Sequence, residues 1–357
     1  MRIVQLIDSL EAGGAERMAV NLANGLAKQV EFSGLISTRK EGLLKDQIQP
    51  KVNYLFLAKK SAVDLKALLR LRKYCRTYKV THIQAHATSY FTALLLRLLL
   101  PKLKLIYHHH LGLSANIDQG SPYFLRLCSY FFTGILVVNE PLKNWAKRNL
   151  ACNNVLYLPN YVTTSSITAI AVPLVGIPGK RILCLANLRQ EKNHPLLIAV
   201  AELLCQSHPD WTFHLVGQDF KDDYASQLKN QIIEKVVDQH VFIYGTRADV
   251  APIANSCSIG ILTSISEGLP LALLEYGFYG LPVVVSDVGG IPAVVHHQKE
   301  GFVVPSGSVD LFYKSLVELI DNQNLRLRFG QAFQAKIQQN YSEESVINTF
   351  LDWSKEF

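Results

Sequence analysis

The chain has no cysteines placed in pairs. Its six, at 75, 128, 152, 184, 205 and 257, stand singly in 357 residues, and several fall inside apolar runs, where a thiol behaves as a small hydrophobe. That excludes a CxxC metal or redox motif and leaves buried free thiols of a reducing compartment as the expectation. Long uncharged runs are missing too. The most apolar stretch, residues 91–107, carries Arg97, Pro101, Lys102 and Lys104, so it falls short of the roughly 18 uncharged residues that a membrane span needs. Residues 1–10 form a strand-length run interrupted by Asp8, without the basic-then-apolar form of a secretory signal. No G-x-G-x-x-G and no Gly-Lys-Ser/Thr follows a strand, which disfavours a dinucleotide fold and a P-loop. No helix-turn-helix, RNA-recognition or zinc-finger pattern is present, so a nucleic-acid partner is not expected.

Hydrophobic residues make up 49% of the chain and charged ones 18%, enough to give each of two ordinary domains its own core. The net charge of +7 is unevenly placed. Residues 1–165 hold 22 basic and 9 acidic side chains, a net +13, and residues 166–357 hold 14 and 20, a net −6. An anionic partner for the first half is implied.

Strand-length apolar runs at residues 2–7, 52–57, 82–85, 103–107, 135–138 and 155–158 alternate with helical patterns, as in a parallel, doubly wound sheet. Residues 163–179 (TTSSITAIAVPLVGIPG) are rich in Ser, Thr, Pro and Gly without a helical face, which reads as a linker. A second alternation begins at Lys180, with strands expected at 181–186, 212–216, 241–244, 259–262, 283–286 and 302–304. The expected division is an N-terminal domain over 1–165, a linker over 166–179, a C-terminal domain over 180–340, and a last helix within 341–357 returning towards the first domain.

The most informative segment is SISEGLPLALLEYGFYGLPVVVSDVGG, residues 264–290. Glu267 ends a loop and a helix starts near Pro270, a residue suited to a first turn. Glu275 then lies slightly more than one turn along it. Free N–H groups from Leu269 to Leu273 can hold a diphosphate, and the two carboxylates can accept from sugar and ribose hydroxyls. Spacing alone is compatible with a surface acid and a helix-capping acid. The segment, continued through Ile291-Pro292 and Gly301-Phe302-Val303-Val304, resembles the E-x7-E signature of the family 4 retaining glycosyltransferases of GT-B fold. Ala293 stands where that family usually has Glu.

Upstream, Ala186-Asn187-Leu188-Arg189-Gln190-Glu191-Lys192 resembles the family's first C-domain loop, which carries an Arg and a Lys for the donor diphosphate. Lys192 fits the Lys. Asn187 occupies the usual Arg position, with Arg189 as the displaced cation. Tyr244-Gly245-Thr246 resembles the strand end that meets the nucleotide base. Gly13-Gly14 follows the first strand and enters a helix, a turn that permits close backbone approach and positive φ. It resembles the family's Gly-Gly loop. Of His108-His109-His110, residues 108 and 110 share one side of a strand. No further cluster completes a metal site in sequence, and the resemblance implies instead that His110 contacts the transferred sugar.

The resemblance thus implies an α/β, GT-B enzyme with two Rossmann-like doubly wound domains facing across a cleft. It would move a hexose-type sugar, with retention, from a nucleotide-sugar (UDP before GDP) to a lipid-linked saccharide or similar acceptor in cell-surface polysaccharide assembly. The implied catalytic residues are His110, Glu267, Lys192 and Arg189. The implied donor-binding residues are Gly13, Gly14, Arg189, Lys192, Tyr244, Gly245, Thr246, Glu267, Gly268, Leu269, Leu271 and Glu275. No cofactor and no bound metal are expected. Alternatives are a GT-B nucleotide-sugar epimerase and a catalytically inactive GT-B partner subunit. Residues 59–79 carry eight Lys/Arg and one acid around Leu65, Leu68, Leu69 and Leu71, the pattern of a basic amphipathic helix on an anionic membrane. The expected location is peripheral, at the inner face of the cytoplasmic membrane.

Overall fold

The computed structural model describes residues 1–11, 13–110, 122–163, 173–247 and 249–357. They form two compact units, one of Met1–Thr163 with Glu343–Phe357, the other of Thr164–Ser342. Of the expected linker, residues 166–172 lie outside the described residues. Residues 174–176 are tied by their carbonyls to the buried guanidinium of Arg181, at 2.8–3.1 Å.

The first unit runs β1 (Arg2–Ile7), α1 (Gly14–Leu26), β2 (Phe32–Ser37), β3 (Asn53–Phe56), α2 (Leu65–Thr77), β4 (His82–His86), α3 (Tyr90–Leu99), β5 (Lys104–His109), α4 (Pro122–Ser129), β6 (Gly134–Val137), α5 (Glu140–Asn149) and β7 (Val155–Tyr157). The second runs β8 (Arg181–Leu185), α6 (His194–Ser207), β9 (Thr212–Val216), α7 (Asp223–Glu234), β10 (Val241–Ile243), α8 (Val250–Asn255), β11 (Ile259–Leu262), α9 (Leu271–Phe278), β12 (Val283–Ser286), α10 (Ile291–Val294), β13 (Gly301–Val304), α11 (Val309–Asp321) and α12 (Gln323–Asn340). Helix α13 (Glu343–Ser354) belongs to the first unit.

The sheets are ordered β3-β2-β1-β4-β5-β6-β7 and β10-β9-β8-β11-β12-β13, and their strands pair in parallel. Parallel strands covered on both faces read as continuous apolar runs, which is why most were visible in the sequence. Strand β2 was not anticipated. Its sequence, FSGLIS, interrupts the apolar run with Ser33, Gly34 and Ser37. Ser33 is satisfied internally, its hydroxyl donating to the Ala23 carbonyl at 2.7 Å. Gly34 is small because a Cβ there would lie 2.7 Å from the Tyr74 hydroxyl.

The basic run at 59–79 is only partly the surface helix expected. Lys59 is buried and donates to Thr92 Oγ1 at 2.6 Å. Burial pushes its pKa below the usual lysine value, against an opposing pull from Asp8. The helix begins at Leu65, after the Asp64 cap accepts from the Ala67 N–H. Leu71 turns into the core, while Leu65 and Leu69 stay outside among Lys66, Lys73 and Arg76.

Helix α13 docks with Val346, Ile347, Phe350 and Trp353 in one buried cluster with Met18, Leu22 and Tyr161. Trp353 Nε1 donates to Asn154 Oδ1 at 2.6 Å, and its ring occupies the space that a Cβ on Gly134 would need, 2.5 Å away. Truncating such a buried indole leaves a cavity and an unpaired amide. Trp353→Ala is expected to lower unfolding free energy by about 3–5 kcal/mol, measured by denaturant titration. A loss under about 1 kcal/mol would refute the role given to this helix.

Candidate active site

In the second unit the order of strand addition reverses between β8 and β11, so the loops leaving their carboxyl ends are neighbours. In doubly wound sheets this switch point is where ligands bind. The two loops are stitched together. Thr263 donates its hydroxyl to the Lys192 carbonyl at 2.8 Å, and the Ile265 N–H donates to the Glu191 carbonyl at 2.9 Å. Across this seam the Lys192 ammonium meets Glu267 Oε1 at 2.7 Å. Ser264 Oγ donates to the same oxygen at 2.7 Å. Glu267 is 7% exposed, and a carboxylate that far from water is costly without such partners.

The Val288-Gly289-Gly290 part of the signature has a geometric cause. Gly289 has φ +57°, and a Cβ on it would lie 1.8 Å from the Glu267 carbonyl oxygen. Only glycine allows that approach. The next N–H, of Gly290, donates to the Gly268 carbonyl at 2.7 Å. The β12–α10 turn therefore holds the loop that carries Glu267.

Helix α9 follows, with Leu269 and Leu271 buried and Gly268 and Glu275 partly exposed. The expected set of open first-turn N–H groups is narrower than proposed, because the Leu273 N–H already donates to the Pro270 carbonyl at 3.1 Å. Next to Glu275, the side chain of Tyr276 is fully buried. Its hydroxyl accepts from the Leu185 N–H at 2.6 Å and faces the Leu183 and Ile261 carbonyls at 3.1 Å each. Gly260 admits the ring, since a Cβ there would be 2.6 Å from it. Sequence reading did not single out Tyr276, though it sits inside the motif.

Arg189 is not brought to the Lys192–Glu267 pair by any of these contacts. Its guanidinium centre lies 4.5 Å over the ring of Phe220. Asn187, at the position expected for an arginine, accepts from the Gln218 N–H at 2.8 Å and so braces the neighbouring loop. Tyr244 turns its hydroxyl to His214 Nδ1 at 3.0 Å and to the Val175 N–H at 3.3 Å. Gly245, at φ +69°, gives its carbonyl to the Gly217 N–H at 3.0 Å. Thr246 is exposed.

In the first unit the switch point falls between β1 and β4. Gly13 has φ −120° and Gly14 opens α1, so neither adopts the positive φ that the sequence suggested. Among the described residues nothing lies within 4 Å of where a Cβ on Gly14 would sit, so its backbone faces open space. Beyond β4, β5 ends in His108 and His109, and His110 follows it. His108 and His109 are buried and His110 is partly exposed. Their neighbour His86 ends β4, directly opposite His108 in register, and sequence reading missed it because only strand pairing brings the two together. His86 Nδ1 lies 2.8 Å from His110 Nε2, and His86 Nε2 lies 2.7 Å from Gln5 Oε1. Burial drives the imidazole pKa values down, to about 4 for His109 and about 3 for His110. His86 and His108 fall well below the usual value for the same reason. All four are neutral at pH 7.

Two family descriptions match the chain, "Glycosyl transferases group 1" over residues 176–336 and "Glycosyltransferase Family 4" over residues 12–166. The chain belongs to the family 4 glycosyltransferases. A Haemophilus influenzae protein described as an uncharacterized glycosyltransferase is 26% identical over 347 residues, 94% of each chain. The Escherichia coli UDP-Gal:alpha-D-GlcNAc-diphosphoundecaprenol alpha-1,3-galactosyltransferase is 27% identical over 144 residues, 38% of this chain and 35% of that one. The crystal structure of Anabaena HepE in complex with UDP-glucose superposes with a TM-score of 0.81 at 16% identity, covering 100% of both chains. The family 4 chain has the GT-B fold, with two Rossmann-like units.

The Tyr276 hydroxyl is the joint that fixes α9 in this family 4 site. Tyr276→Phe leaves the ring in place but deprives the Leu185 N–H of its acceptor, for an expected loss of about 1–3 kcal/mol. Thermal melts of the two proteins measure it, and an unchanged midpoint would exclude the joint.

Proposed function

We propose that the chain is a retaining hexosyltransferase. It moves a sugar from a nucleoside diphosphate sugar, UDP before GDP, to a lipid-linked saccharide or similar acceptor in cell-surface polysaccharide assembly. The observation that carries this reading is the Lys192–Glu267 pair at the switch point, 2.7 Å apart, beside the start of α9. A cation there offsets charge as the diphosphate leaves, and the helix N-terminus favours the same anion. Glu267, oriented by Lys192 and Ser264, accepts from hydroxyls of the donor sugar. Glu275, on α9, accepts from the ribose diol. Gly14 permits close backbone approach, and the neutral imidazole of His110 meets the transferred sugar. Arg189 is a second cation for the diphosphate, available if it leaves Phe220. Tyr244, Gly245 and Thr246 serve the base mainly through their backbone. No resident metal is assigned to the transfer.

Relatives support the chemistry. The E. coli galactosyltransferase is named for a UDP-Gal donor, a diphosphoundecaprenol acceptor and an alpha-1,3 product. An Erwinia amylovora amylovoran biosynthesis glycosyltransferase is 24% identical over 345 residues. Purified protein given UDP-, GDP- and ADP-sugars is expected to release nucleotide from a UDP-sugar, and only with a lipid-acceptor fraction. Release without acceptor would indicate the epimerase alternative or hydrolysis. No release and no nucleotide binding would indicate an inactive partner subunit. Glu275→Ala is expected to weaken donor binding at least tenfold while the fold survives, and unchanged affinity would remove its role.

The acceptor class implies work at a membrane face. The N-terminal unit supplies a surface for it: Leu65 and Leu69, 67% and 57% exposed, among basic residues of α2, and a second apolar group on and after α4 that includes Tyr123, Leu127 and Tyr130. Anionic lipid attracts each surface cation by about 1 kcal/mol. The protein is expected to bind anionic vesicles at low salt and to release them at high salt. Equal binding to neutral vesicles would refute the electrostatic reading.

A further inference from the structure

We infer that His86, His108 and His110 form a binding site for a divalent transition-metal ion, of which zinc is the natural probe. One ring nitrogen from each lies within 4.8 Å of the others. The ring centroids are 5.1 Å apart for His86 and His108, 5.0 Å for His86 and His110, and 3.9 Å for His108 and His110. Three imidazoles with a fourth position left open is a common zinc ligand set, with nitrogen–metal distances of about 2.0–2.1 Å.

What stands behind the rings matters as much. Histidine ligands usually donate their other N–H to an oxygen, which fixes the tautomer and aims the lone pair. His86 Nε2 is held by Gln5 Oε1 at 2.7 Å, so its Nδ1 carries the lone pair, directed at His110. His108 Nδ1 is held by the Gln84 amide at 2.9 Å. The amide nitrogen makes that contact, and Gln84 Oε1 has no partner among the described residues. Turning that amide makes Nδ1–H the donor and leaves the lone pair on Nε2.

His108 Nε2 is the second observation. It is buried and has no hydrogen-bond partner among the described residues. A polar atom in that state calls for a water or an ion. His86 and His108 are fully buried, while His110 keeps partial exposure and gives the ion its route in. At present the proton between His86 and His110 occupies the place that the ion would take.

The test titrates the full chain with Zn²⁺ against a chromophoric chelator and records the visible spectrum of the Co²⁺ adduct. One zinc per chain is expected, with cobalt bands of a nitrogen-ligated tetrahedral ion and no thiolate charge-transfer band. His86→Ala and His108→Ala are each expected to weaken zinc by more than 100-fold. Gln5→Leu, which removes only an outer partner, should cost about 10–100-fold and carries the test if an alanine variant fails to fold. Thiolate bands, absence of one-to-one binding, or affinity unchanged in both His86→Ala and Gln5→Leu would overturn the site. If His110 meets the transferred sugar, zinc also slows transfer and a chelator restores it. That arm rests on the proposed function. An enzyme that binds zinc through these residues yet transfers at full rate would refute the role of His110 and leave the metal site standing.

Discussion

The second unit depends on one buried hydroxyl. Tyr276 reaches from α9 to the backbone of β8 and β11 and touches both strands of the switch point. Its neighbours yield space for it. Gly260 in β11 admits the ring from one side, and on the next residue Gly277 admits Ile337 and Phe333 of α12, which would lie within 2.4–2.9 Å of a Cβ. The helix is therefore clamped between sheet and outer helix at adjacent positions. The clamp sets where Glu275 stands and where the helix begins. A polar joint is used although the surroundings are apolar, because apolar contact is non-directional and cannot fix a helix's rotation or slide as hydrogen bonds to two strands do.

Once α9 is fixed, electrostatics must act locally. The residues after 165 carry a net negative charge, so the long-range field does not favour an anion there. On the proposed function the diphosphate is drawn by nearby groups, namely the Lys192 ammonium and the start of α9. Glu267 lies in the same small volume, and its carboxylate keeps Lys192 directed inward instead of solvated. The glycines after β12 close this arrangement from the other side, since Gly289 lets the turn lie directly on the Glu267 carbonyl. The signature is therefore a packing unit, which explains why it extends past the two carboxylates.

Much of this could be read in one dimension. Strands such as Ile259–Leu262 and Val283–Ser286 are continuous apolar runs, and the residues that meet Glu267 lie within linear motifs. What escaped reading depends on pairing between distant segments. Strand β2 hides because Ser33 and Gly34 are chosen for what lies across from them, the Ala23 carbonyl and the Tyr74 hydroxyl. Asn187 looked like a lost arginine until the fold showed it bracing the Gln218 N–H. Leu71 looked like a member of a surface stripe, yet it lies on the face of α2 that buries Ala67, Tyr74 and Cys75. His86 lies 22 residues before His108 in sequence and becomes its neighbour only through strand register.

That register gives the histidine group its significance. The interior of a parallel sheet is ordinarily filled by Val, Ile and Leu, and Ile83, Leu105 and Ile106 follow the rule. At the carboxyl ends of β4 and β5 the chain instead buries Gln84, His86, His108 and His109, with Gln5 of β1 beside them. Each imidazole must give up its charged form, and atoms such as His108 Nε2 and Gln5 Nε2 have no partner among the described residues. A buried polar atom left without a partner costs about 1–3 kcal/mol, a cost that an apolar set would not carry. Departures of this kind from local rules are expected at functional sites. The group also lies at the carboxyl ends of β4 and β5, next to the switch point, where a doubly wound sheet opens to a ligand. Cost and location together argue that these side chains are kept for what they bind.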